Sequence, residues 1–194
     1  MNNGSGLRVV LWLSGCEHKC KGCQNPQTWD ANSGILFDEK AKEELFRELD
    51  KDYISGLTLT GGDPLHPSNL DGVLDIVTEF NKRHRTTQDI VSNKDDNHNI
   101  LNENVNKIRL LMPEKTIWIY TGFLWEEIDI NLDLDFNFYW QRRRDILYKC
   151  DVLVDGRYID SQRNISAKWK GSDNQRVINT QESLIQNKII LHCD

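Results

Sequence analysis

Short apolar runs and longer segments with helical spacing alternate along the chain. Residues 7–14, 57–60, 117–120 and 151–154 are runs of aliphatic, aromatic and β-branched residues, which predict buried strands. Apolar residues recur at helical spacing through 38–50, where Asp38 is a candidate N-cap, and through 70–80. Residues 125–130 predict a helical turn, 140–149 a further helix, and 188–191 a fifth strand.

Strands that alternate with helices predict an α/β fold with a mainly parallel sheet. About five strands are too few to close an eight-stranded barrel. We therefore expect a partial (incomplete) β/α barrel or a curved, mainly parallel open sheet with flanking helices. A length of 194 residues favours a single domain, 1–194. Residues 85–107, rich in asparagine, predict a polar surface insertion.

Candidate chemistry follows the predicted strands directly. Parallel sheets bind ligands beyond the carboxyl ends of their strands. Residues 15–23, 61–64, 121–122 and 155–157 each come immediately after a strand. We therefore expect these four segments to meet at one edge of the sheet and to form the functional site.

The first of these segments contains Cys16, Cys20 and Cys23 in the spacing C-x3-C-x2-C. Three thiolates on one tight loop can each bind one iron of a cubane cluster, since thiolate is the soft ligand that iron–sulfur centres use. No fourth cysteine stands within the motif or soon after it, so one iron is left without a protein ligand. The spacing predicts a 4Fe–4S cluster with an open iron.

Two other interpretations of the cysteine loop stay open at this point. A structural zinc site needs four ligands, which His18, Cys150 or Cys193 would have to complete. An electron-carrying ferredoxin would use a fourth cysteine near the motif. Cys150 stands just before a predicted buried strand and is interpreted as a small core residue, and Cys193 as inert.

Composition narrows the classes of partner. Lys and Arg total 24 against 30 Asp and Glu, a net charge of −6. Nucleic-acid binding needs a basic stripe, and the arginines at 142–144 are interpreted as a solvated helix face. No apolar run approaches the ~18 residues of a membrane helix. Three cysteines within eight residues favour metal chemistry over secreted disulfides. We expect a cytoplasmic protein with no nucleic-acid or membrane partner.

The later segments offer groups for a bound cofactor. Gly61 and Gly62 would expose bare backbone above the sheet, and Asp63 would offer a carboxylate to an ammonium group. Asp155 offers a carboxylate and Arg157 a guanidinium, although an Asp-Gly turn at a strand end is an equally good interpretation. Residues 169–176 are dense in polar side chains and predict a lid over a ligand or a solvated loop.

These motifs together resemble a known family. The chain is similar to radical S-adenosylmethionine enzymes and, among them, to the activating component of anaerobic (class III) ribonucleotide reductase. The resemblance spans nearly the whole chain apart from 85–107 and 131–141, and it rests on Gly4-x-Gly6-x-Arg8, Gly15-Cys16-x-His18-x-Cys20-x-Gly22-Cys23-x-Asn25-Pro26, Thr28-Trp29, Leu57-x-Leu59-x-Gly61-Gly62-Asp63-Pro64-Leu65, Trp118-x-Tyr120-Thr121-Gly122, Asp155-Gly156-Arg157-Tyr158 and Gly171-Ser172-x-Asn174-Gln175-Arg176.

The resemblance implies a function. Such activators cleave S-adenosylmethionine at a reduced 4Fe–4S cluster into a 5′-deoxyadenosyl radical, which takes hydrogen from a glycine of the reductase large subunit. It also implies a low-potential electron donor such as flavodoxin. By the same resemblance, the cluster ligands are Cys16, Cys20 and Cys23, and the residues around S-adenosylmethionine are Gly22, Cys23, Gln24, Gly61, Gly62, Asp63, Thr121, Asp155, Arg157 and Asn174.

The chain departs from the wider superfamily in two places. Relatives often carry an aromatic residue before the last loop cysteine, where this chain has Gly22, so the residue that stacks on adenine is not identified. An upstream strand found in relatives is expected to be missing, because the chain starts close to its first strand. The alternatives are an activator of another glycyl-radical enzyme of the formate-lyase type, a radical enzyme acting on a small metabolite, and a zinc-stabilised interaction module.

Overall fold

The computed structural model describes residues 3–85, 115–129 and 138–192. All but the first residue of the predicted polar insertion at 85–107, as well as Cys193, lie outside the described residues.

The first four strands and the helices between them follow in the order that the apolar pattern predicts. The strands are β1 (Arg8–Leu13), β2 (Gly56–Gly61), β3 (Thr116–Tyr120), β4 (Val152–Asp155) and β5 (Arg176–Asn179). The helices are α1 (Glu39–Leu49), α2 (Leu70–His84), α3 (Trp125–Ile128), α4 (Phe138–Leu147) and α5 (Thr180–Gln186). Asp38 caps α1 as expected, because its side chain accepts a hydrogen bond from the Ala41 N–H at 2.9 Å.

The five strands form one sheet in the order β1-β2-β3-β4-β5. The first four are parallel, and β5 runs antiparallel to β4. This confirms a mixed α/β fold with a mainly parallel sheet and flanking helices. In the part of the chain that the structure describes, the sheet is open, with β1 and β5 at its edges, and it does not close into a barrel.

The predicted fifth strand at 188–191 is wrong. The fifth strand is Arg176–Asn179, at the end of the polar segment that was interpreted as a lid or loop. The tail makes a single isolated bridge to it, between Ile178 and Leu191, flanked by the hydrogen bond from the His192 N–H to the Val177 carbonyl at 2.8 Å. The apolar tail therefore lies along the edge of β5 with one bridge and does not form a strand.

The main hydrophobic core lies between one face of the sheet and the helices. Its largest fully buried side chains include Phe46 of α1, Phe80 of α2, Leu59 of β2 and Ile146 of α4. A smaller cluster around Trp118 occupies the opposite face. Among the described residues, no helix is long and apolar enough to cross a membrane.

Candidate functional site

The carboxyl ends of the four parallel strands carry the segments that the sequence singled out. The ladder of backbone hydrogen bonds continues past the strands themselves. The Gly62 N–H donates to the Leu13 carbonyl and the Asp63 N–H to the Gly15 carbonyl, both at 2.7 Å. The Thr121 N–H donates to the Val154 carbonyl at 3.0 Å. These bonds join the loop after β1 to the loop after β2, and the end of β3 to the end of β4.

The cysteine loop leaves β1 at this edge. Cys16, Cys20 and Cys23 are free thiols, and all three are half-buried. The Cys23 N–H donates to the Cys20 carbonyl at 3.1 Å, which closes a tight turn, and the Asn25 N–H points at the Cys23 Sγ at 3.4 Å. Backbone N–H groups directed at cysteine sulfur are a regular feature of iron–sulfur sites, where they tune the cluster.

Burial disfavours the charged form of two of these thiols. It raises the pKa of Cys16 to about 11, although the backbone N–H groups of His18 and Lys19 act in the opposite direction. Burial also raises the pKa of Cys20, opposed by the Tyr158 N–H from the loop after β4. Because thiolate is the ligand form, deprotonation here must accompany the binding of a cation.

The loop leaves no room for a side chain beside its last cysteine. Gly22 has a φ of +74°, and a Cβ at this position would lie 2.6 Å from the Asp160 Oδ1. Tyr158 holds that carboxylate in place through its hydroxyl, which donates to Oδ1 at 3.0 Å. The segment after β4 therefore occupies the space into which a side chain at this position would point, which explains why glycine stands there.

The two glycines after β2 also have a packing role. A Cβ on Gly62 would lie 2.5 Å from the Gly15 carbonyl oxygen and 2.9 Å from that of Thr28. These neighbours are backbone atoms that cannot move aside, so only glycine lets β2 approach the cysteine loop so closely. A Cβ on Gly61 would likewise lie 2.6 Å from the Leu13 carbonyl oxygen of β1.

Asp63 is the centre of a buried hydrogen-bond network. Its side chain is 2% exposed and accepts from the Thr121 hydroxyl at 2.9 Å and from the N–H groups of Leu65 at 2.8 Å and Gly122 at 2.9 Å. The His18 Nε2 completes the set at 2.8 Å. Thr121, in turn, accepts from the Phe123 N–H at 3.2 Å. The carboxylate thus joins the cysteine loop to the ends of β2 and β3.

Arg157 approaches the same network from the end of β4. Its Nε donates to the His18 Nδ1 at 3.1 Å, and its Nη2 lies 3.5 Å from the Glu127 carboxylate. The side chain is half-exposed, so the outer face of the guanidinium is accessible from the edge of the sheet. Its carbonyl accepts from the Asn174 Nδ2 at 2.8 Å.

Asn174 and Gln24 differ in their burial and in what their side chains offer to a ligand. The Asn174 Oδ1 is buried and has no hydrogen-bond partner, which is an unusual state for a buried acceptor. Gln24 is exposed on the outside of the cysteine loop. Of the two, only Asn174 offers a buried, unused polar atom to a ligand at this edge.

The Asp155 side chain takes part in a structural ion pair. It is completely buried, accepts from the Trp125 N–H at 2.8 Å, and pairs with the Arg176 guanidinium on β5. Arg176 also forms a bidentate pair with Glu126 at 2.9 and 2.7 Å. Both oxygens of Asp155 are thus used within the protein, where they fix β5 and α3 against the end of β4.

Sequence reasoning missed Arg143. The arginines at 142–144 were interpreted as a solvated face, but the Arg143 side chain is 6% exposed and donates to the Leu65 carbonyl at 2.9 Å. Its guanidinium lies over the Phe123 ring at 4.1 Å and over Trp140 at 5.0 Å, and burial lowers its pKa. The available signal was helical spacing, which places 143 on the same face as the buried residues 146 and 147.

The described side chains do not converge on a single-ion site. Within residues 3–85, 115–129 and 138–192, no group of three or more His, Cys, Asp or Glu side chains is arranged to hold one metal ion. The donor set of the loop is three soft thiols with backbone N–H groups around them, which fits the ligand chemistry of an iron–sulfur cubane, in which each cysteine binds a different iron.

Fold and site together define an α/β protein with an iron–sulfur cluster loop at the carboxyl edge of its parallel strands. A family model described as a 4Fe-4S single cluster domain matches residues 2–96 and 93–178. No solved structure matches the chain significantly.

Three relatives narrow the class further. The chain is 37% identical over 177 residues to a protein of enterobacteria phage T4, which covers 90% of this chain and 85% of the relative. It is 33% identical over 175 residues to a Haemophilus influenzae protein, with 89% and 88% covered. For an Escherichia coli K12 protein the identity is 30% over 177 residues, with 90% of each covered. All three are named anaerobic ribonucleoside-triphosphate reductase-activating protein, and the chain belongs to this family.

Proposed function

We propose that this chain is a glycyl-radical activating enzyme that binds a 4Fe–4S cluster through Cys16, Cys20 and Cys23 and acts on anaerobic ribonucleotide reductase. The observation that carries the proposal is the cysteine loop itself, with three free, half-buried thiols at the carboxyl edge of a parallel sheet. Cys150, the other described cysteine, is fully buried at the amino end of β4. The loop therefore supplies three ligands to a four-iron cluster.

The open iron is where S-adenosylmethionine would bind. When bound, the cluster supplies one electron that splits the sulfonium C–S bond into methionine and a 5′-deoxyadenosyl radical, which takes a hydrogen atom from the partner's glycine. The protein's own groups bind, orient and shield. Gly61 and Gly62 would present backbone to the methionine end, and the exposed face of the Arg157 guanidinium suits a carboxylate.

The remaining residues of the predicted contact set divide into two roles. The unpaired Asn174 Oδ1 would accept from a hydroxyl or amino group of the cofactor, and Gly22 and Gln24 would contribute backbone beside Cys23. Asp63, Thr121 and Asp155 have their polar atoms engaged within the protein. Their contribution is to hold the edge on which the cofactor rests.

Reconstitution under anaerobic conditions tests this function. The protein is loaded with iron and sulfide and reduced, and 5′-deoxyadenosine is then measured after addition of S-adenosylmethionine. We expect bound iron and product in the natural chain, and neither after Cys16→Ala, Cys20→Ala or Cys23→Ala, because two thiolates do not retain a cubane. Cys150→Ala is the matched control and keeps both.

Other outcomes of the same experiment would support the alternatives. Stoichiometric zinc after purification in air, with no iron uptake after reduction, would support a zinc-stabilised interaction module. Formation of 5′-deoxyadenosine together with a radical on a formate lyase, and not on the reductase, would support an activator of another glycyl-radical enzyme. Product coupled to turnover of a free metabolite would support a small-molecule radical enzyme.

A further inference from the structure

We infer that His18 is a positioning residue that fastens the cysteine loop to the ends of β2 and β4, an inference that rests on the proposed function. His18 stands between two of the three ligands, two residues from each. In sequence it looks like a spare metal ligand. Its contacts in the fold indicate instead that it positions the loop.

Both ring nitrogens of His18 form hydrogen bonds with residues at the ends of other strands. Nε2 lies 2.8 Å from the Asp63 Oδ2, and Nδ1 lies 3.1 Å from the Nε of Arg157. The Arg157 Nε–H is only a donor, so Nδ1 must accept, and the ring proton belongs on Nε2, facing the carboxylate. Each partner requires the same tautomer, and the two hydrogen bonds together set the ring's orientation, as happens with carboxylate–histidine pairs around metal centres.

The ring is also enclosed by packing. Its side chain is 3% exposed. It meets the Phe123 ring edge-on with centroids 4.6 Å apart, and a Cβ added to Gly122 would lie 2.3 Å from the imidazole. The loop after β3 therefore closes against one side of the ring, and Gly122 is glycine because the imidazole occupies the space beside it.

The backbone next to His18 needs such a restraint. Lys19 has a φ of +45°, a left-handed conformation that a residue with a Cβ adopts only at an energetic cost. Strained residues persist where the surrounding structure over-determines them. Since Lys19 is exposed, the restraint on this turn comes from its neighbours, and the side chain of His18 is only 3% exposed. A displaced His18 ring would let this turn relax and would change the spacing of the Cys16 and Cys20 thiols.

Two substitutions separate positioning from bulk packing. His18→Phe keeps a flat ring beside Phe123 but removes both hydrogen bonds. His18→Gln restores an amide N–H within reach of Asp63. His66→Phe is the matched control, since His66 lies on the same edge and its ring forms hydrogen bonds, among the described residues, with the neighbouring Ser68.

The first readout needs neither iron nor S-adenosylmethionine. Trypsin cleaves after Lys19 and Lys21, both exposed on the loop, and mass spectrometry of the iron-free protein gives the cleavage rate at each. We expect His18→Phe to raise that rate about tenfold or more, because a loop that opens more often exposes its backbone to trypsin more often. His18→Gln should recover most of the protection, and His66→Phe should match the natural chain.

The second readout uses the reconstituted protein. We expect His18→Phe to raise the KM for S-adenosylmethionine about tenfold or more, by analogy with the ~10–100-fold loss of metal affinity or activity when an outer partner of a metal ligand is removed. It should also weaken the change that S-adenosylmethionine causes in the electron paramagnetic resonance spectrum of the reduced cluster. If His18→Phe fails to load iron, His18→Gln decides: recovery of iron supports the inference, and failure in a chain with normal circular dichroism overturns it.

Failure of this inference is distinct from failure of the proposed function. A natural chain that cleaves no S-adenosylmethionine would overturn the function, while the trypsin comparison would still report on the loop. A His18→Phe chain that matches His66→Phe in trypsin protection, KM and spectrum would overturn the positioning role alone. Equal defects in folded His18→Phe and His18→Gln chains would also overturn it.

Discussion

Replacing Thr121 by valine removes one oxygen atom from the buried network around Asp63 and leaves the side-chain volume almost unchanged. The hydroxyl proton is shared between both Asp63 carboxylate oxygens at 2.9 Å, and the oxygen accepts from the Phe123 N–H at 3.2 Å. The side chain is almost completely buried, so water cannot replace either partner.

The size of the effect follows from these contacts. A hydrogen bond to a charged group contributes about 1.5–3 kcal/mol, and leaving a buried donor unpaired adds a further cost. We therefore expect Thr121→Val to lower the free energy of unfolding by about 2–3 kcal/mol. Thr121→Ser keeps the hydroxyl and loses one methyl group, about 0.8 kcal/mol of burial.

Thermal unfolding of the reconstituted proteins under anaerobic conditions measures the difference. The samples are matched for iron content and contain no S-adenosylmethionine, so a direct contact of Thr121 with the cofactor does not enter the comparison. For a chain of this size, 1 kcal/mol corresponds to roughly 2–4 °C in Tm. The expected decrease is about 4–12 °C for valine and about 2–3 °C for serine. A valine variant as stable as the serine variant would refute the role assigned to the hydroxyl.

Three further predictions test other parts of the structure. Burial raises the pKa of the Cys150 thiol, so Cys150 should resist iodoacetamide at neutral pH until the protein unfolds; rapid labelling of the folded chain would contradict this. Gly22→Ala should reduce bound iron, because its Cβ would lie 2.6 Å from a carboxylate. Gly72→Ala should leave bound iron unchanged, because its Cβ would meet no atom within 4 Å, and equal iron contents in the two variants would contradict the steric account. Arg176→Met should lower the free energy of unfolding by about 3–5 kcal/mol, because it leaves the buried carboxylate at the end of β4 unpaired. Glu126→Gln, which changes the exposed partner of Arg176, should lower it by under about 1 kcal/mol, and similar urea midpoints for the two variants would contradict this.

Much of the fold could be predicted because its signals are local. Apolar runs mark β1 to β4, and helical spacing marks α1 and α2, since each of these elements buries one face in the same core. β5 could not be predicted in this way. Arg176–Asn179 is short and mostly half-buried, and its strand conformation comes from pairing with β4 and from the Arg176 ion pair. Conversely, the apolar tail at 188–191 has strand-like residues but only one bridge.

The candidate site also has a part that the sequence predicts and a part that it does not. The three cysteines lie within eight residues, so their spacing alone predicts a cluster loop. The network behind them joins residues far apart in sequence: His18 and Asp63 are 45 residues apart, and Asp63 and Thr121 are 58 apart. Polar residues at strand ends indicated that these groups meet, but not which atoms pair. Sequence reasoning therefore offered Asp63 and Thr121 to a ligand, whereas the fold uses their polar atoms internally.

Arg143 illustrates a related limit. Three consecutive arginines on a helix are typical of a solvated face, and two of them, Arg142 and Arg144, are partly exposed and pair with carboxylates. The middle one turns inward because Phe123 and Trp140 provide aromatic faces for its guanidinium and the Leu65 carbonyl provides an acceptor. These partners come from three different elements, so composition alone did not reveal them.

The most direct test of the central claim is a radical on the partner. The reduced, reconstituted protein is mixed with its cognate anaerobic ribonucleotide reductase and S-adenosylmethionine, and the electron paramagnetic resonance spectrum is recorded. We predict a glycyl-radical doublet that collapses when the glycines of the reductase are deuterated at Cα, and no signal with Cys16→Ala. Cleavage of S-adenosylmethionine with no radical on the reductase would contradict the account.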